Sequence, residues 1–425
     1  MRLPAILRTH SLIVVAAAIL ICFANIAAVA DEKSAPKVPE GRSVYDAPDP
    51  LPPGKHGDLI WATEIKTDIP GARAWKVLYR STDIHDVVVP VSGLVIAPTS
   101  KAPSGGRPVV SWAHGTTGIA RNCAPSMVDN PAKDATFYTL PDSADRMNAG
   151  IPGLTQMISA GYVVAATDYN GLGAPGFHQY MIGPTAARNV LDIAVAAQHV
   201  PQAGAGKRVV VLGWSQGGQA AVWAAQLADY VADLTQVMGA AALAPVNALE
   251  QIEIQKRMVA EGKKLPGITS SETIMAWYAM AVTFPDLQLS DVLTPFGIDF
   301  IKESGKCQCS HHMGASLAYM QNRKGTATRP DPQNQGAWLK RIEQMALGNV
   351  PAKVPIAIYQ GDDDPEIFPA ATEAYVKKAC ASGTTISYNH YYDTDHVRIP
   401  TRSQADFLSW IADRFAGKPA ASSCK

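Results

Sequence analysis

The chain has 425 residues, enough for one large α/β domain with an insertion or for two domains. Its 47% hydrophobic and 17% charged residues describe a packed globule and exclude a disordered or fibrous chain. Lys+Arg and Asp+Glu both number 37, so there is no net basic field for non-specific nucleic-acid binding.

Arg2 and Arg8 precede an apolar run from Leu12 to Ala30 that ends in Ala28-Val29-Ala30. A positive start, an apolar middle and small residues before the cut describe a secretory signal over residues 1–30, cleaved before Asp31. The run is also long enough to span a membrane as an uncleaved anchor. The A-x-A site at its end favours cleavage and a secreted or periplasmic product. Residues 31–60 are rich in Pro, Asp and Lys and lack periodicity, so they read as an arm outside the core.

From Trp61 to Lys425 the pattern is that of one α/β domain. Two β-rich runs, AWKVLYRST at 74–82 and VVVPVSGLVIA at 87–97, suit an antiparallel start to a sheet. Short, nearly all-apolar runs follow: PVVSWAH at 108–114, YVVAATDY at 162–169, RVVVLGW at 208–214, VMGAAALA at 237–244 and VPIAIYQ at 354–360. Such runs fit strands buried on both faces of a parallel sheet. Helical stretches at 183–200 and 215–231 alternate with them, and a last helical pair flanks the final strand TTISYNHYY. Strand–helix alternation of this kind predicts a mostly parallel, doubly wound α/β sheet.

The rhythm breaks between Ala244 and Val354, too long a gap for a loop. Residues of about 246–350 therefore form a helical insertion, expected as a cap over the site. Its segment ETIMAWYAMAVTF is apolar on nearly every face, and such a helix must be buried or must cover something. Ile274, Trp277, Tyr278 and Ala281 share one stripe and read as either an acyl-chain wall or the core of the cap.

Gly213-Trp214-Ser215-Gln216-Gly217 carries the chemistry. This G-x-S-x-G follows the apolar strand VVVLG and opens the helix GGQAAVWAAQLA, the strand–turn–helix setting of a nucleophile elbow in the α/β-hydrolase fold. A serine hydroxyl needs an oriented base to become a nucleophile. In this fold the partners follow in the order acid, then histidine. His396, in DTDHVRIP just past the last strand, is favoured over His390, which lies within that strand. The acid belongs on the loop after VPIAIYQ. There Gly361-Asp362-Asp363-Asp364-Pro365-Glu366 offers Asp364 as first choice, with Asp362 and Asp363 as alternatives.

The carbonyl oxygen of an ester gains charge during attack and needs preplaced donors. The backbone N–H of Gln216 is one, and Gly115 or Thr116 in His114-Gly115-Thr116-Thr117-Gly118 is the other. Asp168-Tyr169-Asn170-Gly171-Leu172-Gly173 reads as a structural turn on the same sheet edge. A two-step acyl transfer of this kind needs no metal or organic cofactor.

With these motifs together, the chain resembles the secretory lipase family. The resemblance runs through PPGKHGDLIW, YRSTDIHDVVVPVSGLVIAP, HGTTG followed by NCAPS, DYNGLG, GWSQGG, QGDDDP and DTDH. It implies an α/β-hydrolase core with a helical lid and hydrolysis of acylglycerols or simpler acyl esters. The partners are then a small-molecule or lipid ester and, transiently, a lipid interface. It also implies a disulfide from Cys123 to the cap, through Cys307 or Cys309, leaving Cys380 and Cys424 as the other pair. Cys307-Gln308-Cys309 before His311-His312 has a spacing tighter than zinc knuckles, so disulfide chemistry is the better reading there. The triple aspartate and the doubled cysteine depart from the family pattern. Two rivals remain on the same scaffold: a peptidase or amidase, which the same triad would serve, and a non-catalytic binding protein. The latter usually lacks a triad member, whereas all three candidates are present here.

Overall fold

Nine strands among the described residues join into one mixed sheet. The computed structural model describes residues 35–135, 150–263 and 269–424, within the unit that begins at Ser34. The expected signal segment, residues 1–30, lies outside the described residues. In chain order the strands are β1 (Leu59–Ile65), β2 (Ala72–Thr82), β3 (Val88–Pro98), β4 (Arg107–Ala113), β5 (Val163–Thr167), β6 (Ala205–Trp214), β7 (Gln236–Leu243), β8 (Ile356–Gly361) and β9 (Ile386–Tyr391). Their spatial order is β1-β2-β3-β5-β4-β6-β7-β8-β9. The first three are antiparallel, β3 meets β5 antiparallel, and every pair from β5 to β9 is parallel.

The apolar runs are continuous because both faces of the parallel strands are covered. Val109, Val163, Val209, Val211, Ala240 and Ile358 face one core. Their neighbours Val110, Val164, Val210, Leu212, Ala241 and Ala357 face the other. Side chains alternate along a strand, so each residue in turn feeds one of two apolar layers. The first layer is closed by α2 (Gly183–Gln198), α3 (Gln216–Gln226) and α10 (Pro369–Ala381), the second by α1 (Leu154–Ser159) and α12 (Gln404–Phe415). Full burial of one such Val or Leu contributes roughly 1.5–3 kcal/mol.

Between β7 and β8 the chain builds α4 (Ala248–Ala260), α5 (Ser271–Thr283), α6 (Leu289–Val292), α7 (Pro295–Ser304), α8 (Ser310–Lys324) and α9 (Gln335–Met345). These helices have their own apolar core around Ile274, Met275, Ile301, Met313 and Leu317, joined by Ile119, Tyr180 and Ile182 from the sheet's loops. Among the described residues there are two disulfides, Cys123–Cys309 and Cys380–Cys424, and Cys307 is an exposed free thiol. The first ties α8 to the loop after β4, beside the bond from Ser310 N to Thr117 O. No helix among the described residues is long and apolar enough to cross a membrane.

The Pro-rich arm packs along the antiparallel edge. The Ala62 amide donates to Pro36 O, and Trp61 Nε1 donates to Val44 O at 2.8 Å. Val44, Tyr45, Trp61 and Leu78 then form a small buried cluster. The short helix α11 (Ile399–Arg402) follows the last loop of the sheet.

Chain direction places the site. From β4 the chain steps to β5 on one side, whereas from β6 it steps to β7 on the other. Open α/β sheets bind ligands at such a switch point, outside the carboxyl ends of the two diverging strands. Those ends are His114-Gly115-Thr116 after β4 and Ser215 after β6.

Candidate active site

Ser215 sits between β6 and α3 with φ 58° and ψ −116°, a backbone conformation that a residue with a Cβ adopts only under constraint. The motif glycines make the turn geometrically feasible. A Cβ on Gly213 would lie 2.0 Å from Gly217 O, and one on Gly217 would lie 1.9 Å from Ala113 O. The turn therefore folds against itself and against β4, and the serine is lifted above the sheet. Its own amide is held by Leu243 O at 2.9 Å.

Ser215 Oγ lies 2.9 Å from His396 Nε2, and His396 Nδ1 lies 2.8 Å from Asp364 Oδ2. His396 is buried, and its carbonyl accepts a bond from Trp214 Nε1 at 3.1 Å. Asp364 is also buried. Its Oδ1 accepts from the amides of Glu366 and Ile367 at 2.9 and 2.8 Å, and its Oδ2 accepts from Gln360 Nε2 at 3.2 Å. The histidine and acid loops are zipped together by the bond from Asp363 N to Thr394 O and by the close approach of Gly361 to the same carbonyl.

The three aspartates separate cleanly in space. Asp362 faces the exposed His390 at 3.1 Å, and Asp363 points to solvent. Asp395 caps its own turn through the amides of Val397 and Arg398. Only Asp364 among the candidate acids reaches the His396 ring by a hydrogen bond.

Burial disfavours a charged His396, but the Asp364 hydrogen bond and charge, with Glu366 and Asp395 nearby, raise its pKa above the ordinary histidine value. Glu366 Oε2 stands 3.9 Å from His396 Nε2. Its own carboxyl is held above the usual range, by partial burial and by the neighbouring carboxylates Asp364, Glu272 and Asp395.

Gln216 opens α3, and the first N–H groups of a helix have no partner within it. Across from it, His114 Nδ1 lies 2.6 Å from Gly115 O. The ring is buried, which pushes its pKa down to about 4, so it is neutral, and its single N–H goes to the nearer carbonyl, Gly115 O, over Asp168 O at 3.3 Å from Nε2. Asp168 is an anchor. Its buried carboxylate accepts from Ser92 Oγ at 2.6 Å, from the Ser126 amide at 2.9 Å and from Ser126 Oγ. That fastens the loop after HGTTG to β3. Trp277 and Tyr278 pack edge-on against Trp338 and Phe177 at 5.1 and 5.4 Å. Among the described residues no cluster of three or more metal-ligating side chains occurs.

Sequence reading passed over His178 and Tyr180, which reach Gln216 and Thr116. Their signal was weak: a glycine-rich stretch after β5 that reads as an ordinary turn.

A mostly parallel sheet wound on both faces, with an elbow serine at its switch point and helices inserted before β8, defines an α/β-hydrolase. The chain belongs to the secretory lipase family, whose sequence model matches residues 151–423. It is 22% identical to lipase A of Moesziomyces aphidis over 97% of this chain and 87% of that protein. It is also 24% identical to a "probable inactive lipase" of Mycobacterium tuberculosis over 81% of this chain and 74% of that one. The crystal structure of Candida antarctica lipase A in its closed state superposes with a TM-score of 0.67 at 19% identity, covering 91% and 89% of the two chains. Family and fold support a hydrolase of ester substrates, and the family together with the two disulfides points to an extracellular protein.

Proposed function

We propose that this protein is an exported serine ester hydrolase acting on acylglycerols or simpler acyl esters. The observation that carries the reading is the continuous chain from Ser215 Oγ through the His396 ring to Asp364 Oδ2, at 2.9 and 2.8 Å. Asp364 accepts a hydrogen bond from Nδ1–H, which keeps the proton on Nδ1 and leaves Nε2 bare, facing the serine hydroxyl. Ser215 Oγ attacks the ester carbonyl while Nε2 takes its proton. The imidazolium then returns the proton to the departing alcohol oxygen. Water repeats the sequence on the acyl-enzyme and releases the carboxylic acid.

The oxyanion is held by the N–H of Gln216 and by the loop after β4. There the His114 bond favours Thr116 over Gly115. The Gly115 carbonyl and the Thr116 N–H share one trans peptide and point in opposite directions. Holding that carbonyl against the buried ring therefore aims the N–H away from it. Helices α4–α9 act as a cap, with Trp277 and Tyr278 near the acyl-chain wall, and residues 1–30 are removed on export.

The test is hydrolysis of p-nitrophenyl esters from acetate to palmitate by the mature protein. Turnover of at least one ester is expected. A preference for palmitate marks a lipase, and a preference for acetate or butyrate marks a small-ester esterase. No turnover along the whole series would overturn the proposal.

The pH profile gives a second check. His396 works as a base only when neutral, so its pKa sets the acid limb of kcat/KM. The Glu366 carboxylate stabilises the imidazolium. Removing that charge lowers the histidine pKa, so Glu366→Gln is expected to move the acid limb to lower pH and to raise relative activity there. An unmoved or upward-shifted limb would contradict the coupling of Glu366 to the base.

A further inference from the structure

Residues 177–182, between β5 and α2, carry no group of the triad, yet they reach both proposed oxyanion donors. Gly171 lets this strap fold back on the turn after β5. A Cβ there would lie 2.2 Å from the His178 amide nitrogen, and the φ of +75° is one that glycine tolerates. Asn170 clamps the start of the strap twice. Its Nδ2 donates to Phe177 O at 3.0 Å, and its carbonyl accepts from His178 Nδ1 at 3.0 Å. That second bond fixes the tautomer, with the proton on Nδ1 and a bare acceptor at Nε2. Burial pushes the ring's pKa down to about 3, so this state persists across the working range.

Gln216 Nε2 donates to His178 Nε2 at 3.1 Å. Two residues along the strap, Tyr180 Oη lies 2.8 Å from Thr116 Oγ1. His178 and Tyr180 are only 1% and 3% exposed, so the strap's side of each bond is shielded from water. Met181 O accepts from Gln219 Nε2 at 3.4 Å, which adds a second tie to the nucleophile helix.

We propose that His178 and Tyr180 are positioning residues for the oxyanion hole, His178 acting through Gln216 and Tyr180 through Thr116. The inference rests on the reading of Ser215 as the nucleophile. An oxyanion donor works only within about 2.7–3.1 Å of where the charged oxygen will sit. A displacement of about 1 Å can cost on the order of 100-fold in rate. The two donors follow different strands, Thr116 in the loop after β4 and Gln216 at the start of α3 after β6, and one strap that grips both side chains fixes their separation. No bond is made or broken by either residue.

The test compares Tyr180→Phe, which keeps the ring and removes one oxygen, with His178→Gln and His178→Leu. Each variant is assayed for kcat and KM on p-nitrophenyl butyrate, and for inhibition by butaneboronic acid, which forms a tetrahedral adduct on the serine. Tyr180→Phe is expected to lower kcat about tenfold with KM within about twofold, and to weaken the boronic acid by about the same factor. His178→Gln, which can still offer Gln216 an acceptor, is expected to retain more activity than His178→Leu. Unchanged kcat and boronate inhibition in Tyr180→Phe would overturn the proposal. So would a fall in kcat with boronate affinity intact, because the defect would then lie outside the oxyanion hole. A wild-type protein that neither cleaves the ester nor binds the boronic acid would instead overturn the reading of Ser215, and this inference with it.

Discussion

Ser215→Ala is expected to reduce kcat for a p-nitrophenyl ester by about 10⁶-fold while leaving the folded protein intact. The size follows from the mechanism. Without Oγ no acyl-enzyme forms, and what remains is the binding and oxyanion stabilisation of an attacking water. Loss of Oγ removes one hydrogen bond, to His396 Nε2, and leaves the backbone of the elbow with the same φ of 58°. Ser215→Gly separates activity from stability. It is equally inactive, but relieving the strained backbone should offset the entropic cost of glycine and leave the variant about 1 kcal/mol more stable. Urea unfolding of the three proteins measures this. A Gly variant less stable than Ala would mean that the elbow stores no strain.

Asp364→Asn is expected to lower kcat about 10⁴-fold. The surrounding donors determine how the new amide must sit. The amides of Glu366 and Ile367 point at Oδ1, so the asparagine oxygen stays there and its NH₂ replaces Oδ2. That NH₂ then faces His396 Nδ1 and Gln360 Nε2. A donor opposite Nδ1 forces the ring to accept there and to carry its proton on Nε2. The serine then has no base. Asp362→Asn and Asp363→Asn, whose carboxylates face His390 and solvent, should stay within about twofold of wild type. Steady-state rates for the three variants settle the acid: a large loss at Asp362 or Asp363, with Asp364→Asn active, would reverse the assignment.

The parts of the fold that rest on periodicity were legible in the sequence. Val209–Leu212 and Ala240–Leu243 read as buried strands because both faces of those strands are covered, and no polar residue interrupts them. The elbow was legible because the two glycines flanking the serine, Gly213 and Gly217, close on Gly217 O and Ala113 O, where no Cβ fits. Strand β1 was partly lost in the arm. Its sequence LIWATEI is broken by Thr63 and Glu64 and follows directly on a proline-rich stretch. The choice among three consecutive aspartates was beyond any spacing rule, because it depends on which carboxylate the turn after Gly361 rotates inward. The same holds for Cys309 over Cys307, two residues apart at the start of α8. His178 and Tyr180 carried only the weak signal of a glycine-rich stretch. Their importance arises from the fold of the strap onto Gly171, which brings chain segments about 40–60 residues apart into contact.

The most direct measurement is stoichiometric reaction of the mature protein with a fluorophosphonate, followed by mass spectrometry of its peptides. One adduct per chain on the peptide containing Ser215, with loss of ester hydrolysis in proportion to labelling, is the predicted result. Ester hydrolysis that persists after full labelling, or an adduct on any other residue, would contradict the assignment of Ser215 as the nucleophile.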